Sequence, residues 1–197
     1  MAKRSRPSRQ ERRQQLEQER RRRYLLIGGG AAVIVVAIVA LVLIRGIGPT
    51  VAGIIEFGPQ ERGHDASVSY EGEELPPVGG IHSPTWQNCG IYDEPVDSAN
   101  AVHSMEHGAV WIAYNPDALT DADIESLRDH VRDQSYLLLS PYPELKSPVV
   151  MSAWGVQLEV DSADDDRIGD FIDRYRLGPQ TPEFGAACDG GTGRPIS

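Results

Sequence analysis

The sequence predicts an α+β fold: an antiparallel sheet with two helices on one face, in the ferredoxin-like order β-α-β-β-α, preceded by one transmembrane helix. Three observations predict it. Leu25 to Ile44 is a run of 20 residues without a charge. Short apolar, β-prone runs follow at Ala109–Tyr114, Tyr136–Leu139 and Val149–Val160. Two acidic stretches, beginning at Thr120 and Ser162, carry apolar residues at helical spacing.

At about 1.5 Å rise per residue, the uncharged run spans roughly 30 Å of hydrocarbon as a helix. It divides the charge. Residues 1–24 hold 10 basic and 3 acidic side chains, whereas the stretch from Arg45 onward holds 9 basic and 26 acidic ones. Arg20 to Arg23 precede the run and only Arg45 follows it closely, so the positive-inside rule leaves the N-terminus cytoplasmic and the rest extracytoplasmic. The expectation is a single-pass cell-membrane protein whose bilayer partner is met through residues 25–44. A cleaved signal peptide is the rival reading, with Thr50-Val51-Ala52 as a weak site, but its apolar core is normally about 7–15 residues. The expected organisation is a basic cytoplasmic tail over 1–24, the span over 25–44, a Gly/Pro tether over 45–60 and one domain over 61–197. An acidic domain of this kind excludes nucleic acid as a partner, since phosphate recognition needs concentrated positive charge.

Within that domain, residues 61–100 are loop-rich, with Pro76-Pro77, Gly79-Gly80 and Ser83-Pro84. Ala109 to Tyr114 reads as a strand ended by Asn115-Pro116-Asp117. Thr120-Asp121-Ala122-Asp123 resembles a capping box, and Ile124, Leu127 and Val131 continue it as a helix. Tyr136 to Leu139 is a second strand, closed by Ser140-Pro141. Val149 to Val160 alternates toward its end and reads as a half-buried strand. A second capped helix begins at Ser162 to Asp165 and carries Ile168, Phe171, Ile172 and Tyr175 on one stripe.

Cys89 and Cys188 are the two cysteines. A disulfide between them would close a loop of about 100 residues; no CxxC spacing is present, and thiolate metal ligands or a redox pair stand as the alternative. Of the five histidines, His130 lies in the acidic helix and reads as solvated. His64, His82, His103 and His107 fall in the part with least regular structure. On a strand, His103, Met105 and His107 would share a face, two imidazoles and a thioether that suit copper. On a helix, His103 and His107 stand one turn apart beside Glu106, the H-x-x-E-H pattern of inverted zinc peptidases; Gly108 and the β-prone run after it weaken the helix. Alternatively these histidines bond Glu106 or carbonyls and simply order the loops.

These residues resemble a bacterial family, the domain-of-unknown-function family 3105, whose members typically carry one N-terminal membrane helix. The resemblance runs over about residues 61–160. It rests on Gly63-His64, Tyr70, Pro76-Pro77, Gly80-Ile81-His82, Gly90-Ile91-Tyr92, His103 with Glu106-His107-Gly108, and Tyr114-Asn115-Pro116. Gly79 stands where the family usually has Ser, and Met105 where Leu is usual, which counts against Met105 as a ligand. The family has no assigned activity; its association with copper-handling proteins makes such proteins expected partners.

The function expected is a membrane-anchored extracytoplasmic metal-binding module, copper before zinc. His64, His82, His103, Met105 and His107 are the candidate ligands, with Glu106 behind them fixing an imidazole tautomer. No catalytic residue is assigned. Two alternatives stand: a non-catalytic assembly subunit of a membrane complex with structural histidines, and a zinc-dependent hydrolase using Glu106 as general base.

Overall fold

The computed structural model describes residues 20–21, 26–27, 29–30, 33–37 and 50–196. The chain divides into two units, Met1–Gly48 and Pro49–Ser197, and the second carries everything that follows. The expected transmembrane helix and single-pass location are corrected here. A crossing needs about 20 residues of apolar helix, and among the described residues no helix is long and apolar enough to cross a membrane. Most of the 25–44 stretch, the basic tail and the start of the tether lie outside the described residues.

The elements of the second unit run β1 (Ile55–Glu56), β2 (Arg62–His64), β3 (Gly80–His82), β4 (Gly90–Ile91), α1 (Ser98–Glu106), β5 (Val110–Tyr114), α2 (Asp121–Val131), β6 (Leu137–Pro141), β7 (Val149–Ala153), β8 (Val156–Val160) and α3 (Arg167–Tyr175). Six strands form one sheet in the order β1-β8-β7-β5-β6-β4, and β2 pairs with β3 separately. The sheet is mixed: β4 and β5 both run parallel to β6, while β5–β7, β7–β8 and β1–β8 are antiparallel. This corrects the antiparallel ferredoxin-like expectation. The joint between β5 and β6 decides it, because α2 returns the chain to the same end and makes the two strands parallel. Val149–Val160 is a hairpin of two strands turning at Trp154-Gly155 rather than one strand. Ile55–Glu56, in the stretch read as a tether, pairs with β8 at the sheet's edge.

Both faces of the sheet are covered. Val110, Ile112 and Tyr114 of β5, with Leu137 and Leu139 of β6, meet Leu127 and Val131 of α2 and Ile168, Phe171 and Ile172 of α3. The alternate residues Trp111, Ala113 and Leu138 meet Ala101, Val102 and Met105 of α1 on the other face, with Tyr92, Tyr142 and Trp154. A strand buried on both sides reads as a continuous apolar run, which is why VWIAY and LLLSP show little alternation. The helix that covers the second face, α1, is absent from the predicted element order.

Helix ends follow the sequence in part. Thr120 caps α2: its hydroxyl accepts from the Asp123 amide, and the Asp123 carboxylate accepts from the Thr120 amide at 2.8 Å. Thr120→Ala is expected to lower stability by about 1 kcal/mol, read from urea unfolding midpoints at unchanged slope. The start of α3 differs from the reading. Asp166 is its first flanking residue and makes no side-chain cap, while Asp165 accepts from the Arg167 amide at 2.9 Å.

Candidate metal centre

The cluster is built by three pieces of chain. The parallel pairing of β2 with β3 sets Arg62 opposite Gly80 and His64 opposite His82. The third piece is α1, started by Asp97, whose carboxylate accepts from the amides of Ala99 and Asn100. Residues three and four apart share a helix face, so His103, Glu106 and His107 project together while Met105 points elsewhere. The helix stops at His107 because Gly108 turns the chain at φ 113°, and a Cβ there would lie 2.7 Å from the Leu177 side chain. The glycine that weakened the helical reading is thus its terminator.

His64, His82, His103 and Glu106 present one donor atom each, all within 4.8 Å of one another. Rings of His64, His82 and His103 sit with centroids 4.7 to 4.9 Å apart. His82, His103 and Glu106 are buried, whereas the His64 side chain is 44% exposed. Arg62 lies at the same opening, with Nε donating to Glu106 Oε1 at 3.2 Å.

Hydrogen bonds decide which nitrogen is free. The Nδ1 of His82 donates to the Gly80 carbonyl at 2.8 Å, and the Nδ1 of His103 donates to the Ser83 carbonyl at 2.7 Å. A carbonyl can only accept, so each Nδ1 carries the hydrogen and each neutral ring keeps its lone pair on Nε2. Burial, reinforced by the neighbouring imidazoles against the opposing pull of the Ser83 carbonyl, pushes the His103 pKa down. That shift favours the neutral ring.

His82 Nε2 comes within 3.0 Å of Glu106 Oε2, yet it is buried with no hydrogen-bond partner among the described residues. The two facts agree once direction is considered: the atoms are close, but ring and carboxylate are not aligned for an N–H···O bond. A buried ring nitrogen is therefore left without a hydrogen-bond partner beside a carboxylate, which is unfavourable unless another group, such as a cation, takes both.

The remaining candidates lie elsewhere. His107 is turned to the C-terminal strand of chain: its Nδ1 donates to the Ala187 carbonyl at 2.6 Å, and its Nε2 stands 3.6 Å from Glu183. It touches the cluster only through its ring, 4.5 Å from that of His103. Met105 is buried in the apolar layer beneath α1, with Val102 and Trp111. Glu106, read as a supporting carboxylate, stands in the donor group itself. Arg62 was not read from the sequence; its two-residue offset from His64 on an extended strand was the available signal. Trp86 and Trp154 close the sides, 5.7 Å from His103 and 5.8 Å from His82. Cys89 and Cys188 form a disulfide.

Three imidazole nitrogens and one carboxylate oxygen suit a borderline divalent ion. Tetrahedral coordination at about 2.0–2.1 Å puts neighbouring donors about 3.3 Å apart, so the widest pair, at up to 4.8 Å, would have to close by up to about 1.5 Å.

Residues 62–190 match the family model described as "Protein of unknown function (DUF3105)". The matched range encloses the four converging residues and both cysteines. No curated protein and no solved structure gives a match.

Proposed function

The chain belongs to that family, and we propose that within it the domain is a binding module for one divalent transition-metal ion, held by His64, His82, His103 and Glu106. Copper(II) is placed before zinc(II), because nitrogen and oxygen donor sets follow the Irving–Williams order. Copper(I) loses support because Met105 is packed in the apolar layer beneath α1. The observation that carries the reading is the buried Nε2 of His82, unpartnered and facing Glu106. With Nδ1 of two rings tied to carbonyls, the lone pairs are aimed before any ion arrives, which is how imidazole ligands are normally oriented.

The hydrolase alternative is weakened by the same geometry. Glu106 is occupied by Arg62 and crowded by His82, so it is poorly placed as a free base beside an activated water. The structural-histidine alternative has His107 in its favour, tied on both sides to the C-terminal segment.

The test is titration of the full-length, metal-stripped protein with Cu(II) and Zn(II). One equivalent of either is expected to bind, Cu(II) more tightly. His82→Ala and His103→Ala should each weaken binding by more than about 100-fold, while His107→Ala should stay within about tenfold. Cu(II) should quench tryptophan fluorescence through Trp86 and Trp154, and Zn(II) should not. No uptake by the wild-type chain, with variants that only melt earlier, would establish the structural alternative.

A further inference from the structure

The four donors are not held alike. His82 and His103 are buried, with Nδ1 anchored to a carbonyl. Glu106 is buried on α1 and held by Arg62. His64 is different in each respect. Its side chain is 44% exposed, and no hydrogen bond fixes its ring among the described residues. Among the described residues its ring is held by contacts with the rings of His82 and His103 and by a 3.8 Å approach to Glu106. Its strand, β2, is three residues long and pairs only with β3.

Resting on the metal-binding reading above, we infer that His64 is the exchangeable ligand, and that the ion enters and leaves by ligand substitution on its side of the site. An incoming nitrogen donor of the imidazole class takes the place of His64 while His82, His103 and Glu106 keep hold. The metal–Nε2 bond to His64 breaks, one bond to the incoming nitrogen forms, and no electron or proton changes hands. An ion held by four buried, anchored donors would exchange only when the fold opened. Here one donor can rotate away without breaking a hydrogen bond among the described residues, because its ring is already 44% exposed and is held by ring contacts.

The experiment compares His64→Ala, His82→Ala and His103→Ala in the full-length protein, each titrated with Zn(II) with and without free imidazole, and each stripped by EDTA. His64→Ala should melt with the wild type when ion-free. It should still bind one ion, about 10–100-fold more weakly, and release it to EDTA correspondingly faster. Imidazole should restore both affinity and slow release in His64→Ala, because the vacated position opens to solvent. His82→Ala and His103→Ala should not recover, since their positions are buried.

If the wild type binds while His64→Ala releases its ion no faster, or is not rescued by imidazole, the exchange inference is overturned and the metal reading stands. Should the wild type bind no ion at all, both are overturned together.

Discussion

Removing the Cys89–Cys188 disulfide, by Cys89→Ala with Cys188→Ala, is expected to lower stability by 2–5 kcal/mol and Tm by roughly 4–20 °C. The bridge joins residues 99 apart in sequence, and in the chain-entropy account a loop of about 100 residues contributes a nominal 4.7 kcal/mol by restricting the unfolded chain. It also holds the C-terminal segment against the loop before β4. Asn88 and Cys89 donate backbone hydrogens to Thr192 and Cys188, Thr192 donates back to Trp86, and Trp86 Nε1 donates to the Asp189 carbonyl.

Metal affinity is expected to change much less than stability, by under about tenfold, a limit set by the effect of removing a supporting contact. His64, His82, His103 and Glu106 stand on β2, β3 and α1, whereas the released segment makes side-chain contact with His107 through Ala187 and Glu183 and reaches the donors only indirectly, through Trp86 and the Glu106 carbonyl. Thermal melting in oxidised and reduced buffer beside the double variant measures the first effect, and copper titration measures the second. Equal melting temperatures would mean that the cross-link restricts nothing the rest of the fold leaves free. Affinity collapsing with the bridge would make His107 a closer participant than its geometry allows.

What the sequence made legible follows from how local each signal is. Thr120 and Asp123 announce α2 because the capping box is a contact between residues three apart. Runs such as AVWIAY announce a strand because the side chains alone demand burial. The sheet's mixed order is carried by nothing local: that Leu138 pairs with both Trp111 and Gly90 depends on where α2 and α1 return the chain. Helix α1 was obscured by its own composition. SANAVHSME carries small and polar residues on a face that is nonetheless buried, because the loop from Ser83 to Asn88 folds over it and takes its polar groups. Ser83 and Gln87 amides donate to Ala99 and Asn100 carbonyls, and the Ser104 hydroxyl donates to the Gln87 carbonyl. The histidines were legible as a group, but their partition was not. His64 joins His82 only through the register of a parallel pair, and His107 is drawn away by a carbonyl 80 residues distant in sequence.

Glu106→Gln separates stability from binding, and the two effects are expected to run in opposite directions. In the ion-free protein the Glu106 carboxylate lies 3.0 Å from His82 Nε2 with no hydrogen bond between them, while Nδ1 of the same ring donates to the Gly80 carbonyl. Glutamine keeps the size and supplies an N–H that a small side-chain rotation brings onto Nε2; satisfying a buried polar atom is worth about 1–3 kcal/mol. Against this stands the loss of charge attraction to Arg62. Its side chain is 55% exposed, and such pairs contribute about 0–1 kcal/mol. The first term wins, and the ion-free variant should melt above the wild type. Metal binding should fall by more than about 100-fold, because a neutral amide replaces the one anionic donor among three imidazoles. Differential melting of stripped protein and competitive Cu(II) titration read the two halves separately. A variant that melts lower and binds equally well would show that the carboxylate belongs to the packing of α1 and not to a ligand set. Under the proposed metal-binding reading, Glu106 costs the ion-free fold some stability that a bound cation would return, and His82 Nε2, buried and unpartnered, stands in the same position.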